Sequence, residues 1–213
     1  MRTLQQEFFA GDVRRVARAL IGKVLVGPDG RSARLVEVEA YLGPDDPGSH
    51  AYRGPTPRAA IMFGPPGRLY VYFSYGTHWC ANVVCGPEGR AAAVLLRAAQ
   101  PLTGLEQMAR DRSRGGRSPV VRDLCRGPGR LAAAFGLSGQ DNGSWVVPRS
   151  GEGEPRLVLA DDGAGGVGAV AVTTRVGLSV SRGAELPLRY VVAASRWASG
   201  PRSATVAKAG GSP

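Results

Sequence analysis

Lysine is nearly absent from this chain. Only Lys23 and Lys208 occur, so chemistry through an internal lysine Schiff base has two candidate positions at most. Histidine is as sparse, with His50 and His78 alone. There is no His-Glu-x-x-His motif and no Asp/Glu/His cluster at ligand spacing, so no metal and no cofactor is expected. The three cysteines, Cys80, Cys85 and Cys125, include no Cys-x-x-Cys pair. Such a set argues against a disulfide framework and against structural zinc, and reads as reduced, buried thiols. No apolar run approaches the roughly 18 residues that a membrane helix needs. The first seven residues lack the apolar stretch of a signal peptide. The expectation is a soluble, cytoplasmic chain with no membrane partner.

What the chain does have is length for a core and an excess of positive charge. Its 213 residues, 43% apolar and 21% charged, suit one ordinary domain. The net charge is +10, and 25 of the basic residues are arginine. That excess suggests a polyanionic partner, nucleic acid or an acidic membrane surface. Arginine is the better bidentate phosphate ligand, although GC-rich codon usage produces the same bias.

Residues 12–21 predict an amphipathic helix capped by Asp12, with Val13, Val16, Ala17 and Leu20 on one face. Strands are expected over 23–26 and 31–41, joined as a hairpin by Gly27-Pro28-Asp29-Gly30. Residues 42–67 form a long Gly/Pro-rich loop, the kind that is usually functional or disordered. Further strands are expected over 68–75, 79–85 and 91–97, then helices over 103–112 and from Pro128 to Phe135. Residues 149–168 read as linker, with short strands around 170–180 and 188–193. The Gly/Ser/Ala/Pro-rich residues 199–213 read as a disordered tail after a single domain over 1–198. Strand and helix signals mix without strict alternation. This favours an α+β fold with a curved, mainly antiparallel sheet, a β-hairpin and surrounding helices.

Alternation along 31–41 puts Glu37, Glu39 and Tyr41 on one face. This is either a half-exposed strand with its charges in solvent or a catalytic edge. In the second case Glu39, near the strand end and roofed by the following loop, could act as a general base. His50 in that loop is either structural or part of a pocket. The aromatic strand 68–75 is either core or a slot for a flat, electron-poor ring, with Tyr72 among its walls. Asn82 is either an edge asparagine or an amide facing that ring.

Several ordered motifs carry a resemblance. They are Val36-Glu37-Val38-Glu39-Ala40-Tyr41-Leu42-Gly43-Pro44, His50 to Arg58, Met62-Phe63-Gly-Pro-Pro-Gly67 and Leu69 to Gly76. Later blocks are Val94-Leu-Leu-Arg97, Leu124-Cys-Arg-Gly-Pro-Gly-Arg-Leu131 and Arg175-Val-Gly-Leu178. Together, over roughly residues 4–198, the chain resembles the alkyladenine (3-methyladenine, methylpurine) DNA glycosylases. The resemblance implies that Glu39 activates water and that Tyr41, His50 and Tyr72 sandwich a flipped base. It implies that Asn82 rejects the exocyclic amine of guanine, that Arg97 lines the pocket, and that Tyr75 inserts into the duplex. Thr56 and Arg58 would touch phosphates, with Thr77 and His78 beside Tyr75 as further DNA contacts. The implied partner is double-stranded DNA containing damaged purines, bound by a monomer associated with the nucleoid.

Three places depart from the family pattern: Ala59 for a common Asn, Thr77 for a common Met, and Ser195-Arg-Trp-Ala198 for a Pro-Trp pairing. They bear on substrate range rather than on reaction class. Neither lysine looks poised for lyase chemistry, so a monofunctional enzyme is expected. Two other classes stay open. A non-catalytic basic module would not need Glu39, Tyr41, His50 and Tyr72 together. A hydrolase of free nucleosides would need neither Tyr75 nor the positive charge.

Overall fold

The longest apolar and β-branched runs become the two central strands of a sheet. The computed structural model describes residues 1–113, 118–149, 151, 155–164 and 166–200. Its strands are β1 (Arg2–Thr3), β2 (Val24–Val26), β3 (Ser32–Tyr41), β4 (Leu69–Ser74), β5 (His78–Val84), β6 (Ala93–Thr103), β7 (Val158–Asp161), β8 (Val170–Thr173) and β9 (Arg189–Val192). Its α-helices are α1 (Gln6–Phe9), α2 (Val13–Leu20), α3 (Leu105–Arg112) and α4 (Pro128–Ala134). Among the described residues the strands form one curled antiparallel sheet in the order β1-β7-β2-β3-β6-β5-β4, with β9 pairing β3 and β8. The fold is α+β, as the mixed strand and helix signals implied. No described helix is long and apolar enough to cross a membrane.

Helix α2 follows its sequence closely. Asp12 Oδ1 accepts the amides of Arg14 and Arg15 at 3.0 and 3.2 Å. Val13, Val16, Ala17 and Leu20 are buried and pack against β3. Burying one such aliphatic side chain is worth about 1.5–3 kcal/mol, against roughly 1 kcal/mol for the cap. The stripe therefore holds the helix in place and the cap sets where it starts. Strand β3 is covered on both faces: Leu35, Val36, Val38 and Ala40 are core, and Glu37 and Glu39 are 0% exposed. The reading of a half-exposed strand with solvated charges is excluded.

Several expected boundaries move. Strand β6 runs to Thr103, six residues past the expected end, because it pairs with β3 along nearly its whole length. Pro101 is tolerated there opposite Ala33, beside a register shift. The next helix accordingly starts at Leu105. Gly104 makes the turn with φ +71, where a Cβ would lie 2.6 Å from that of Arg31. The linker read over 149–168 contains β7, which bridges β1 and β2. Its four residues sit between Gly/Asp flanks, too short a run for alternation to register. The strand expected around 170–180 is only Val170–Thr173, and the residues after it enter the functional site. Of the tail expected over 199–213, residues 201–213 lie outside the described residues, while Ser199 is buried.

Candidate active site

The site begins at an irregularity in the ladder. Glu37 pairs with Ala98 and Val38 with Leu96, so the register skips Arg97 on β6. A bulge of this kind re-aims a side chain. Arg97 Nη1 donates to Glu39 Oε2 at 3.2 Å, and its Nε donates to Glu37 Oε1 at 2.9 Å. Tyr41 donates its hydroxyl to Glu39 Oε2 at 3.1 Å, and the Val176 amide donates to Oε1 at 2.8 Å. The Glu39 carboxylate is thus gripped by a guanidinium, a phenol and a backbone N–H.

Above it lies a cavity of about 300 Å³. Tyr41, Arg97, the aromatic side chains His50, Tyr70 and Tyr72, and the segment Val176 to Leu178 line it. His50 Nδ1 shares a hydrogen bond with the Tyr70 hydroxyl at 2.8 Å. The His50 and Tyr72 rings meet edge to face, 4.7 Å apart at 84°. Tyr70 and Tyr72 lie at 5.3 Å and 32°. Desolvation in the cavity, with Arg58 and Arg182 nearby, lowers His50 to about 4, although the residue as a whole is exposed. Burial raises the Tyr41 and Tyr72 phenols, Tyr41 also through the Glu39 charge. Both hydroxyls stay protonated and both rings neutral. Asn82 is 4% exposed, and its Nδ2 donates to the Tyr70 carbonyl at 3.1 Å while the residue still lines the cavity.

Strands β4 and β5 form a hairpin whose tip stands at the cavity mouth. The Thr77 amide closes it on the Ser74 carbonyl at 3.0 Å. Tyr75 occupies the left-handed region at φ 47 beside Gly76 at φ 66, and Tyr75 is 87% exposed. A bulky non-glycine residue there is strained. Thr77 Oγ1 bonds His78 Nδ1 at 2.8 Å. His78 packs so tightly on Gly129 that a Cβ there would fall 2.3 Å from the imidazole.

The sequence profile of the family described as methylpurine-DNA glycosylase matches residues 7–196. The chain belongs to this family. It is 48% identical to a Burkholderia lata protein over 200 residues, 93% of this chain and 91% of that one. It is 46% identical to a Koribacter versatilis protein over 203 residues, 93% and 94% of the two chains. It is 47% identical to a Frankia casuarinae protein over 207 residues, 92% of each. All three carry the provisional name 3-methyladenine DNA glycosylase. The activity is that of a DNA glycosylase, a hydrolase of DNA repair, and DNA is its substrate partner.

In this methylpurine-DNA glycosylase family member the residues singled out from sequence fall as follows. Tyr41, His50, Arg58, Tyr72, Tyr75, His78, Asn82 and Arg97 line one cavity. Glu39 lies fully buried beneath Tyr41 and Arg97. Thr56 faces solvent and caps a turn, accepting the Ala59 amide at 3.2 Å, and Thr77 is exposed at the hairpin tip.

Sequence reasoning missed the pair that fastens the roof. Arg175 grips Asp46 with two nitrogens, at 2.5 and 2.7 Å, and both side chains are 0% exposed. Arg175 also donates to the Ala40 carbonyl at 3.1 Å and stacks over Tyr41 at 4.6 Å. It thereby ties the 42–50 loop to the segment that follows β8. The only signal was the Arg175-Val-Gly-Leu178 block, which had carried no role. Arg182 and Cys80, also in the lining, had no assigned role either. Of the seven arginines over 110–130, Arg122, Arg126 and Arg130 fan around Asp123 at 3.5–3.8 Å.

Proposed function

We propose that this protein excises alkylated or deaminated purines of the 3-methyladenine type from duplex DNA, flipping the base into the aromatic cavity and leaving an abasic site. The observation that carries this reading is the Glu39 carboxylate, fully buried yet held by three donors at the floor of an aromatic cavity with a strained tyrosine at its lip. Extrusion costs a few kcal/mol, least for a damaged base, and Tyr75 offsets it by filling the vacated stack. Tyr41, His50 and Tyr72 take the base. A cationic alkylated ring gains about 0.5–2 kcal/mol from each electron-rich face. A His50 neutral above about pH 4 adds no opposing charge. Asn82 meets the purine edge, and Arg58, Thr56 and Thr77 meet phosphate.

The chemistry is hydrolysis. Water oxygen bonds to C1′, the bond from C1′ to the purine nitrogen breaks, and its electron pair leaves with the base. Glu39 takes the proton from water and its charge stabilises the oxocarbenium-like sugar. Arg97 and the Val176 amide aim the carboxylate. Strand cleavage through Lys23 is disfavoured, because its amine is ion-paired to Asp161 at 2.6 Å and the residue does not line the cavity. The test is excision from end-labelled duplexes carrying one 3-methyladenine-like, ethenoadenine or hypoxanthine lesion, comparing wild type with Glu39→Gln. Cuts that need both wild-type enzyme and added alkali are expected. Salt-sensitive binding without cuts on any lesion would instead establish a binding module. Cuts without alkali would overturn the monofunctional assignment.

A further inference from the structure

The mechanism leaves one buried carboxylate unused. Glu37 is 0% exposed, as is Glu39. Its Oε1 accepts from Arg97 Nε at 2.9 Å, Arg189 Nε at 2.8 Å and the Ser199 hydroxyl at 3.0 Å, and its Oε2 accepts the Ser199 amide. Arg97 in turn spends each nitrogen on a different acceptor: Nε on Glu37, Nη1 on Glu39, and Nη2 on the Ser199 hydroxyl at 3.2 Å. Arg189 Nη2 closes the ring on the Ser199 carbonyl at 2.8 Å.

A guanidinium is a rigid, planar fork, so fixing two of its nitrogens fixes the third. A buried ion pair seldom stabilises more than an apolar pair of equal volume. A second carboxylate, matched by a second guanidinium, therefore asks for a role other than stability. We infer that Glu37 is a positioning residue. Through Arg97, and braced by Arg189 and Ser199, it sets where the Glu39 carboxylate points. This rests on the proposed general-base role of Glu39. It also gives Ser199, in the segment after β9, a part in catalysis, although it is not in the cavity lining.

The test uses the full chain on a lesion duplex that the wild type cuts. Glu37→Gln keeps shape and one acceptor but removes the charge. The single-turnover excision rate should fall about 100-fold, the size of a small misplacement of a reacting group, with lesion-duplex affinity unchanged. The groups facing Glu39 are Arg97 from β6, Tyr41 from β3, Cys80 from β5, and Arg175 and the Val176 amide from the segment after β8. Without the Glu37 charge the two cations Arg97 and Arg189 are under-matched. The acid limb of the rate–pH profile should therefore move to lower pH while the plateau drops. Ser199→Ala, which leaves the carboxylate in place, should slow excision about tenfold, the scale of one hydrogen bond to a charged group.

In an Arg97→Lys background, which cannot bridge both glutamates, Glu37→Gln should cost far less than in wild type. A wild-type rate in a folded Glu37→Gln protein overturns the inference. So does an equal loss in both backgrounds, or a lowered Tm with an unmoved pH profile. If Glu37→Gln does not fold, a wild-type rate in Ser199→Ala overturns it instead. A wild-type rate in Glu39→Gln on the same duplex would refute the general-base reading itself, and this inference with it, which separates that failure from the others.

Discussion

Replacing Tyr75 by glycine should leave the fold as stable as before or more so, and should impair excision. The side chain is 87% exposed, so its removal empties no core space. Its backbone sits at φ 47, a region that costs a residue with a Cβ about 1–2 kcal/mol. Glycine relieves that cost and returns about 0.5–1 kcal/mol of it as lost chain entropy. The balance lies between zero and about 1.5 kcal/mol of stabilisation, a Tm shift of roughly 0 to +6 °C at this size. On DNA the sign reverses. Stacking of an aromatic side chain against a base is worth about 1–3 kcal/mol. Loss of the wedge should therefore slow excision roughly 5- to 150-fold. Thermal melting and single-turnover excision, run on the same preparation, read the two effects. The excision loss should shrink when the lesion sits opposite a mismatch, where extrusion is already cheap. A Tm many degrees lower would mean that Tyr75 packs within the protein. A wild-type excision rate would mean that the strain at 75 serves something other than the duplex.

Asp46→Asn breaks a pair in which both side chains are 0% exposed. Such a break typically costs about 3–5 kcal/mol, and the Tm should fall by roughly 6–20 °C. An Asp46→Asn protein that melts like wild type would show the roof pair to be dispensable. His50, held near 4 when folded against 6.5 unfolded, binds fewer protons in the native state. Its share of stability is therefore fully present above pH 6.5 and lost as pH falls toward 4. Melting curves over that window should show a pH slope that His50→Gln reduces, and an unchanged slope would refute this. Arg58→Ala and Arg182→Ala, both in the cavity lining, should each weaken duplex binding. Each should also lower the slope of log affinity against log salt by about 0.9 if it meets one phosphate. An unaltered slope would place that arginine off the DNA.

Most of what local pattern can encode was legible. The Asp12 cap, the apolar stripe of α2, the β2–β3 hairpin and the alternation that sets Glu37, Glu39 and Tyr41 together all rest on neighbours a few residues apart. What stayed hidden joins distant residues. Arg175 meets Asp46 across 129 positions, and Ser199 meets Glu37 across 162. No periodicity announces such pairs, because tertiary packing alone decides which charges are taken out of water. The register skip at Arg97 was hidden for the same reason: a bulge exists only relative to the partner strand.

The net charge of +10 was read correctly in size but could not be located. Arg97, Arg189 and Arg175 are buried against Glu37, Glu39 and Asp46, three cations for three anions. These interior ion pairs consume no surplus, so the excess stays outside the core. One residue type thus does two jobs that composition cannot separate. Buried, the arginine fork orients carboxylates; exposed, it draws in phosphate.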